Sequence, residues 1–228
     1  AAEQLVSNIN FRAFSRATEL KKRLLFTLGA LLVFRLGTYI PIPGINTNAL
    51  EQMLNHHSNG ILGLFNVFAG GAVGRMAIFA LGIMPYISAS IIFQLLTAII
   101  PSLEALKKEG EAGRKIITQY TRYATVLLAT LQAYGLAIAL ENGMGSSYQL
   151  VLTPGWIFRI VTVVTLVAGT MFLVWLGEQI TSRGVGNGSS LIIFSGIAAR
   201  LPLGFYQIFS ACRQGNLSPV AVLAILAL

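Results

Sequence analysis

Residues 61–75 read ILGLFNVFAGGAVGR, and residues 76–100 read MAIFALGIMPYISASIIFQLLTAII. The first stretch is apolar but ends at Gly74 and Arg75. As a helix, residues 61–73 reach only ~20 Å at ~1.5 Å per residue, short of the ~30 Å hydrocarbon layer of a bilayer. The second stretch carries no charge over its 25 residues. It would form ~37 Å of helix, enough to span. The fold therefore has to accommodate a half-length apolar segment joined by Gly70, Gly71 and Gly74 to a full-length one.

Composition sets the surroundings. Of 228 residues, 55% are hydrophobic and 11% charged. A soluble domain carries about 25% charged residues, so this is a membrane composition. The single cysteine, Cys212, leaves no disulfide framework, and two histidines, His56 and His57, offer little to a metal. The net charge of +8 is dispersed beside apolar runs rather than gathered in a block, which argues against a nucleic-acid role. The first 23 residues are polar and lack a signal-peptide pattern.

Hydropathy predicts an all-α, polytopic helix bundle with spans at Leu24–Ile42, Met76–Ile100, Ala124–Leu140, Gly155–Gly177 and Leu191–Ala211. Residues 1–23 precede the bundle, residues 24–217 form it, and 218–228 read as the truncated start of a sixth span. On this reading the chain is part of a longer protein. Lysine and arginine set the orientation. Arg12, Arg16, Lys21, Lys22, Arg23, Lys107, Lys108, Arg114, Lys115, Arg122 and Arg183 fall on one side, against Arg75 and Arg213 on the other. Eleven against two puts the N-terminus in the cytoplasm.

Within or beside the spans lie Arg35, Arg159 and Arg200. The latter two read as snorkelling near helix ends, whereas Arg35 is deeper and open to a wet cavity. Pro41 and Pro43 end the first span. Residues 101–118, with the run KKEGEAGRK at 107–115, read as a cytoplasmic loop, either a solvated turn or a docking surface built on Lys107, Lys108, Arg114 and Lys115. Gly184, Gly186 and Gly188 predict a compact turn within 178–190.

No histidine or carboxylate lies deep in a span, and GVGNG follows no strand, so neither catalysis nor a nucleotide fingerprint is supported. The chain reads as a pathway or a scaffold, not an enzyme. Pro85 is expected to bend the second span. Ile83, Ile87 and Ile91, spaced i, i+4, i+8, share one face, either packing against lipid or helix or forming a hydrophobic constriction. The half-helix, with Asn66 in its middle, fits three uses. It presents its end to a solute as in secondary transporters, stops a channel mouth, or lies on the outer interface. Physical chemistry alone leaves these open.

Several long blocks then resemble one family. They are FRLGTYIPIPGI (34–45), IFALGIMPYISASIIFQLL (78–96), KKEGEAGRK (107–115), QYTRY (119–123) and GTMFLVWLGEQITSRGVGNG (169–188). In this order they are similar to the SecY family of protein-translocon subunits, from about Glu19 to Leu228, and most similar to its proteobacterial members. The resemblance implies one half of a ten-helix clamshell in a bacterial cytoplasmic membrane, a passive channel for unfolded preproteins and for apolar segments leaving sideways into lipid. It implies a re-entrant plug at 61–72 (Ile61, Leu62, Leu64, Phe65, Asn66, Val67, Phe68) and a pore ring at Ile83, Ile87 and Ile193. It also implies a lateral gate including Ser88, Ile91 and Gln132. Implied partners are SecE-like and SecG-like subunits, SecA or a translating ribosome, signal sequences and nascent polypeptides, with no cofactor. Ser189-Ser190-Leu191 departs from the family's usual Ile-Ser-Ile just before Ile193. Half of a secondary solute transporter is the alternative.

Overall fold

A computed structural model of the chain describes residues 18–47, 49–50, 69–143, 150–199, 201–202 and 206. The plug residues Ile61 to Phe68, together with Arg200 and Cys212, lie outside the described residues.

Helix α1, Thr18–Gly37, buries Thr27, Ala30, Phe34 and Gly37, a stripe at helical spacing. It stops at Gly37, short of the Ile42 expected from hydropathy. Residues after it turn and then run extended, because Pro41 and Pro43 disfavour helix at the positions before them.

The largest correction concerns the expected span Met76–Ile100. Helix α2 covers only Met84–Ile99, and residues 69–83 form turns. Pro85 therefore sits in the first turn of α2, where its missing N–H would have had no helical partner, and does not bend a long helix. The turn segment bonds to the chain after α1 instead. Ile42 N–H donates to Met76 C=O at 2.9 Å and Ile78 N–H to Ile40 C=O at 3.0 Å, flanking an antiparallel bridge between Pro41 and Ala77. Pro41 occupies the non-hydrogen-bonded position of that pair, so its lack of an N–H costs nothing.

Packing of this segment depends on glycines. A Cβ on Gly169 would lie 2.1 Å from the Ile78 carbonyl oxygen, and one on Gly37 would lie 2.0 Å from the Phe79 ring. The Phe79 ring stacks between Phe34 and Phe172, with centroids 6.1 and 5.9 Å away.

Residues 101–118 also depart from the expected loop. Helix α3, Pro101–Lys108, leaves α2 at a 100° bend, and α4, Glu111–Glu141, starts after Glu109 and Gly110. Leu, Glu, Ala and Lys are strong helix formers, and Pro101 stands in the first turn, so the charged run is helical despite its polarity. Gly113 lets α4 cross the end of α3, where a Cβ would meet the Leu106 carbonyl oxygen at 1.6 Å.

Helix α5, Trp156–Arg183, lies antiparallel to α4 and is followed by α6, Gly188–Ala198. The facing stripe of α4 is small, with Thr121, Thr125, Ala129, Ala133 and Ala137 buried four residues apart. Small residues of this kind let helices approach closely in a membrane. Where hydropathy predicts five spans, α4 and α5 are individually long and apolar enough to cross a membrane. The bent pair α2–α3 makes a third if counted as one span. At the far end Asn46 N–H donates to Leu150 C=O and Leu152 N–H to Gly44 C=O, tying the segment after α1 to the one before α5.

Gly169→Ala in the full-length chain should cost about 1–3 kcal/mol, read as loss of unfolding free energy in detergent, because the methyl meets backbone. Gly135→Ala, with nothing within 4 Å of the added Cβ, should be neutral or stabilising.

Candidate functional site

Ile83, at the N-cap of α2, and Ile87 and Ile91 within it line two cavities that share Ile193 of α6. The smaller, about 160 Å³, is lined by Phe34, Ala69, Val73, Ala80, Leu81, Gly82, Ile83, Met84, Ile192 and Ile193, almost wholly apolar. The larger, about 600 Å³, includes Ile87, Ser90, Ile91, Gln94, Arg122, Glu178, Asn187, Ser189, Ser190 and Ile193. Ile193 borders both, with Ile83 on one side and Ile87 on the other. Three side chains from α6 and the start of α2 thus border an apolar pocket, a larger cavity that also carries polar side chains, or both.

Each wall has a local cause. The start of α2 is set by the bonded turn 69–83, which ends at Ile83; Ile83 is buried to 3% exposure. Ile193 is set by the α5–α6 hairpin. The backbones of that hairpin touch, since a Cβ on Gly188 would lie 1.9 Å from the Gly177 carbonyl oxygen. Gly188 N–H donates to the Thr181 hydroxyl at 2.9 Å. Asn187 caps α6 by accepting from the N–H groups of Ser189 at 3.1 Å and Ser190 at 3.3 Å. The expected compact turn is therefore present at Gly184–Asn187, after α5 has run on to Arg183. Val185 N–H donates to the Thr27 hydroxyl at 3.1 Å, joining this turn to α1.

The larger cavity opens beside an ion pair that sequence reading missed. Arg122 of α4 meets Glu178 of α5, Nε to Oε1 at 3.0 Å and Nη2 to Oε2 at 2.5 Å. Both side chains remain partly exposed, so the pair adds direction more than stability. Fifty-odd residues separate the partners, and only the α4–α5 packing brings them together. A second pair, Glu141 with Arg159, closes the opposite end of the same two helices, and Glu141 also accepts from Gly155 N–H at 2.9 Å. Arg159 is thus paired rather than merely snorkelling, with its guanidinium 5.6 Å from the Trp156 ring.

Of the gate positions, Ile91 lines the larger cavity and is 51% exposed. Ser88 and Gln132 are exposed, and neither borders the two cavities. Ser90 and Gln94, bonded to each other at 3.3 Å, line the larger cavity instead. Lys107 and Lys108 sit at the end of α3, and Arg114 and Lys115 in the first turns of α4, all exposed on helices rather than on a loop. Glu111, Arg114, Lys115, Thr118, Arg122 and Tyr123 border a separate groove of about 680 Å³.

An aliphatic waist has no donor or acceptor to exchange for an ion's hydration shell, so it resists ions while remaining indifferent to the side chains of a passing chain.

A double-mutant cycle of Arg122→Gln and Glu178→Gln should give a coupling of about 0.5–1 kcal/mol at low salt, shrinking in 1 M salt. The readout is unfolding of the full-length chain in detergent.

Comparison with known proteins places this geometry. The SecY family model matches residues 77–228. The SecY protein translocase subunit of Buchnera aphidicola subsp. Acyrthosiphon kondoi is 57% identical, covering 87% of this chain and 56% of that protein. That of Escherichia coli K12 is 55% identical, covering 91% of this chain and 46% of its own length. The chain spans about half the length of the curated relatives it matches. A solved protein-conducting channel superposes with a TM-score of 0.61 at 18% identity, covering 86% of this chain and 42% of that one. That likeness gives the fold, a membrane helix bundle.

Proposed function

The chain belongs to the SecY family, and from that premise we propose that it is the N-terminal half of a protein-conducting channel subunit. The observation that carries the proposal is the position of Ile193, bordering an apolar pocket with Ile83 and a polar cavity with Ile87. One half of a ring needs that arrangement: aliphatic side chains at the narrowest level, a wet vestibule on one side and a stopper's seat on the other. The apolar pocket is small and bordered by Ala69, where the proposed plug at 61–72 joins the described chain.

In this reading the ring closes around a translocating polypeptide by van der Waals contact. It binds nothing by hydrogen bonds, so sequence matters little to passage. Segments apolar enough to prefer lipid leave sideways along α2 and α4, past Ser88, Ile91 and Gln132, driven by the hydrophobic effect. The Lys107, Lys108, Arg114 and Lys115 end faces the cytoplasm of a bacterium, by the excess of basic residues there. A SecA motor or a translating ribosome docks on that side, and SecE-like and SecG-like subunits flank the channel in the inner membrane. No covalent chemistry is involved. The secondary solute transporter has no support from the relatives, which are translocase subunits.

Ile83→Ser with Ile87→Ser in the full-length, assembled channel should raise resting ion leak in proteoliposomes several-fold, and an unchanged seal would overturn the ring. Deleting residues 62–71 should raise leak or relax signal-sequence selection; unchanged conductance and selection would count against the plug.

A further inference from the structure

One charged side chain joins α1 to the turn segment that carries Ile83. Arg35, in the last turn of α1, donates from Nη1 to the Gly70 carbonyl at 2.8 Å and from Nη2 to the Tyr39 hydroxyl at 2.9 Å. Its Cζ lies 4.9 Å from the Tyr39 ring centroid. Arg75, from the turn segment, lies over the same ring at 4.2 Å. One phenol thus serves two guanidinium groups, one from each of the pieces it joins.

Gly70 is built for this contact. Its φ is +63°, and a Cβ there would come within 3.1 Å of Gly196 Cα in α6 and 3.7 Å of Arg35 Nη1. A side chain would be strained in conformation and would crowd Gly196 of α6. Beyond Gly70 the segment is pinned by the bridge at Pro41 and Ala77, with Ala72, Met76 and Ala77 at no more than 1% exposure. The latch and the bridge are separate attachments of one unit that ends at the waist.

We propose that Arg35 and Tyr39 are positioning residues for the pore waist: they hold residues 70–83 against α1 and so keep Ile83 at the level of Ile193. The proposal rests on the channel reading above. A cation in the last turn of a membrane helix is costly unless satisfied, and Arg35 gains its second acceptor only with the segment in place. Losing a charge-assisted hydrogen bond of this kind shifts a local equilibrium by roughly tenfold or more.

The test uses the full-length channel with its partner subunits, in proteoliposomes. Arg35→Gln should raise resting ion leak, Arg35→Lys should fall between it and the parent, and neither should add to the leak of Ile83→Ser. A disulfide at Pro41→Cys/Ala77→Cys, in a Cys212→Ser background, replaces the latch covalently. Facing non-hydrogen-bonded residues have Cα atoms ~4.5 Å apart, within disulfide reach. Oxidation should restore the seal to Arg35→Gln and reduction should lose it again. If Arg35→Gln prevents assembly, Tyr39→Leu carries the same expectations, with leak again abolished by the disulfide. A leak fully additive with Ile83→Ser, or indifferent to oxidation, overturns the latch. Should Ile83→Ser with Ile87→Ser prove tight, the ring on which this proposal rests fails. A leaky ring variant beside a tight Arg35→Gln removes only the latch.

Discussion

Backbone that is not helical has to find hydrogen-bond partners before it can be buried at membrane depth. Residues 69–83 meet that demand by pairing with residues 40–42, by short-range turn bonds such as Ala80 N–H to Ala77 C=O, and by the Arg35 guanidinium at Gly70. Everything around them follows. Gly37, Gly169 and Gly196 stand where α1, α5 and α6 come against the segment. Phe79 fills the space that Gly37 and Gly169 leave and stacks on Phe34 and Phe172.

The same constraint decides where α2 begins, and therefore where its isoleucine face points. Had the helix started at Met76, Ile83 would have stood two turns inside it. Starting at Met84, it leaves Ile83 at the helix entrance beside Ile192 and Ile193. The α5–α6 hairpin, closed by contact between Gly177 and Gly188, brings Ile193 beside Ile83. Ion pairs at the two ends of α4 and α5, Arg122 with Glu178 and Glu141 with Arg159, put charge outside the apolar level.

Much of this was legible in the residues, and the misreadings have particular causes. The stripe Ile83, Ile87, Ile91 and the turn at Gly184–Asn187 were visible from spacing and glycine content. The break that shortens the second span was not, because hydropathy registers apolarity and is blind to conformation. Gly70, Gly71 and Gly82 all take positive φ, and Pro85 marks a helix start as readily as a kink. Mixed charge and glycines make residues 101–118 read as a loop, although Pro101 followed by Leu, Glu, Ala and Lys is also a helix-start signal. Arg122 and Glu178 carry no local signal at all, being neighbours only across packed helices.

By itself the sequence determined the solvent of this protein, its helical class, the chemistry available to it and the family it resembles, because composition, charge distribution and motif order are properties of the chain. Only the tertiary structure decided that residues 69–83 leave the helix, that Arg35 grips Gly70, and that Ile193 borders one cavity with Ile83 and another with Ile87. Those outcomes depend on which distant backbone groups satisfy one another, and pairing across space leaves no periodicity in the sequence.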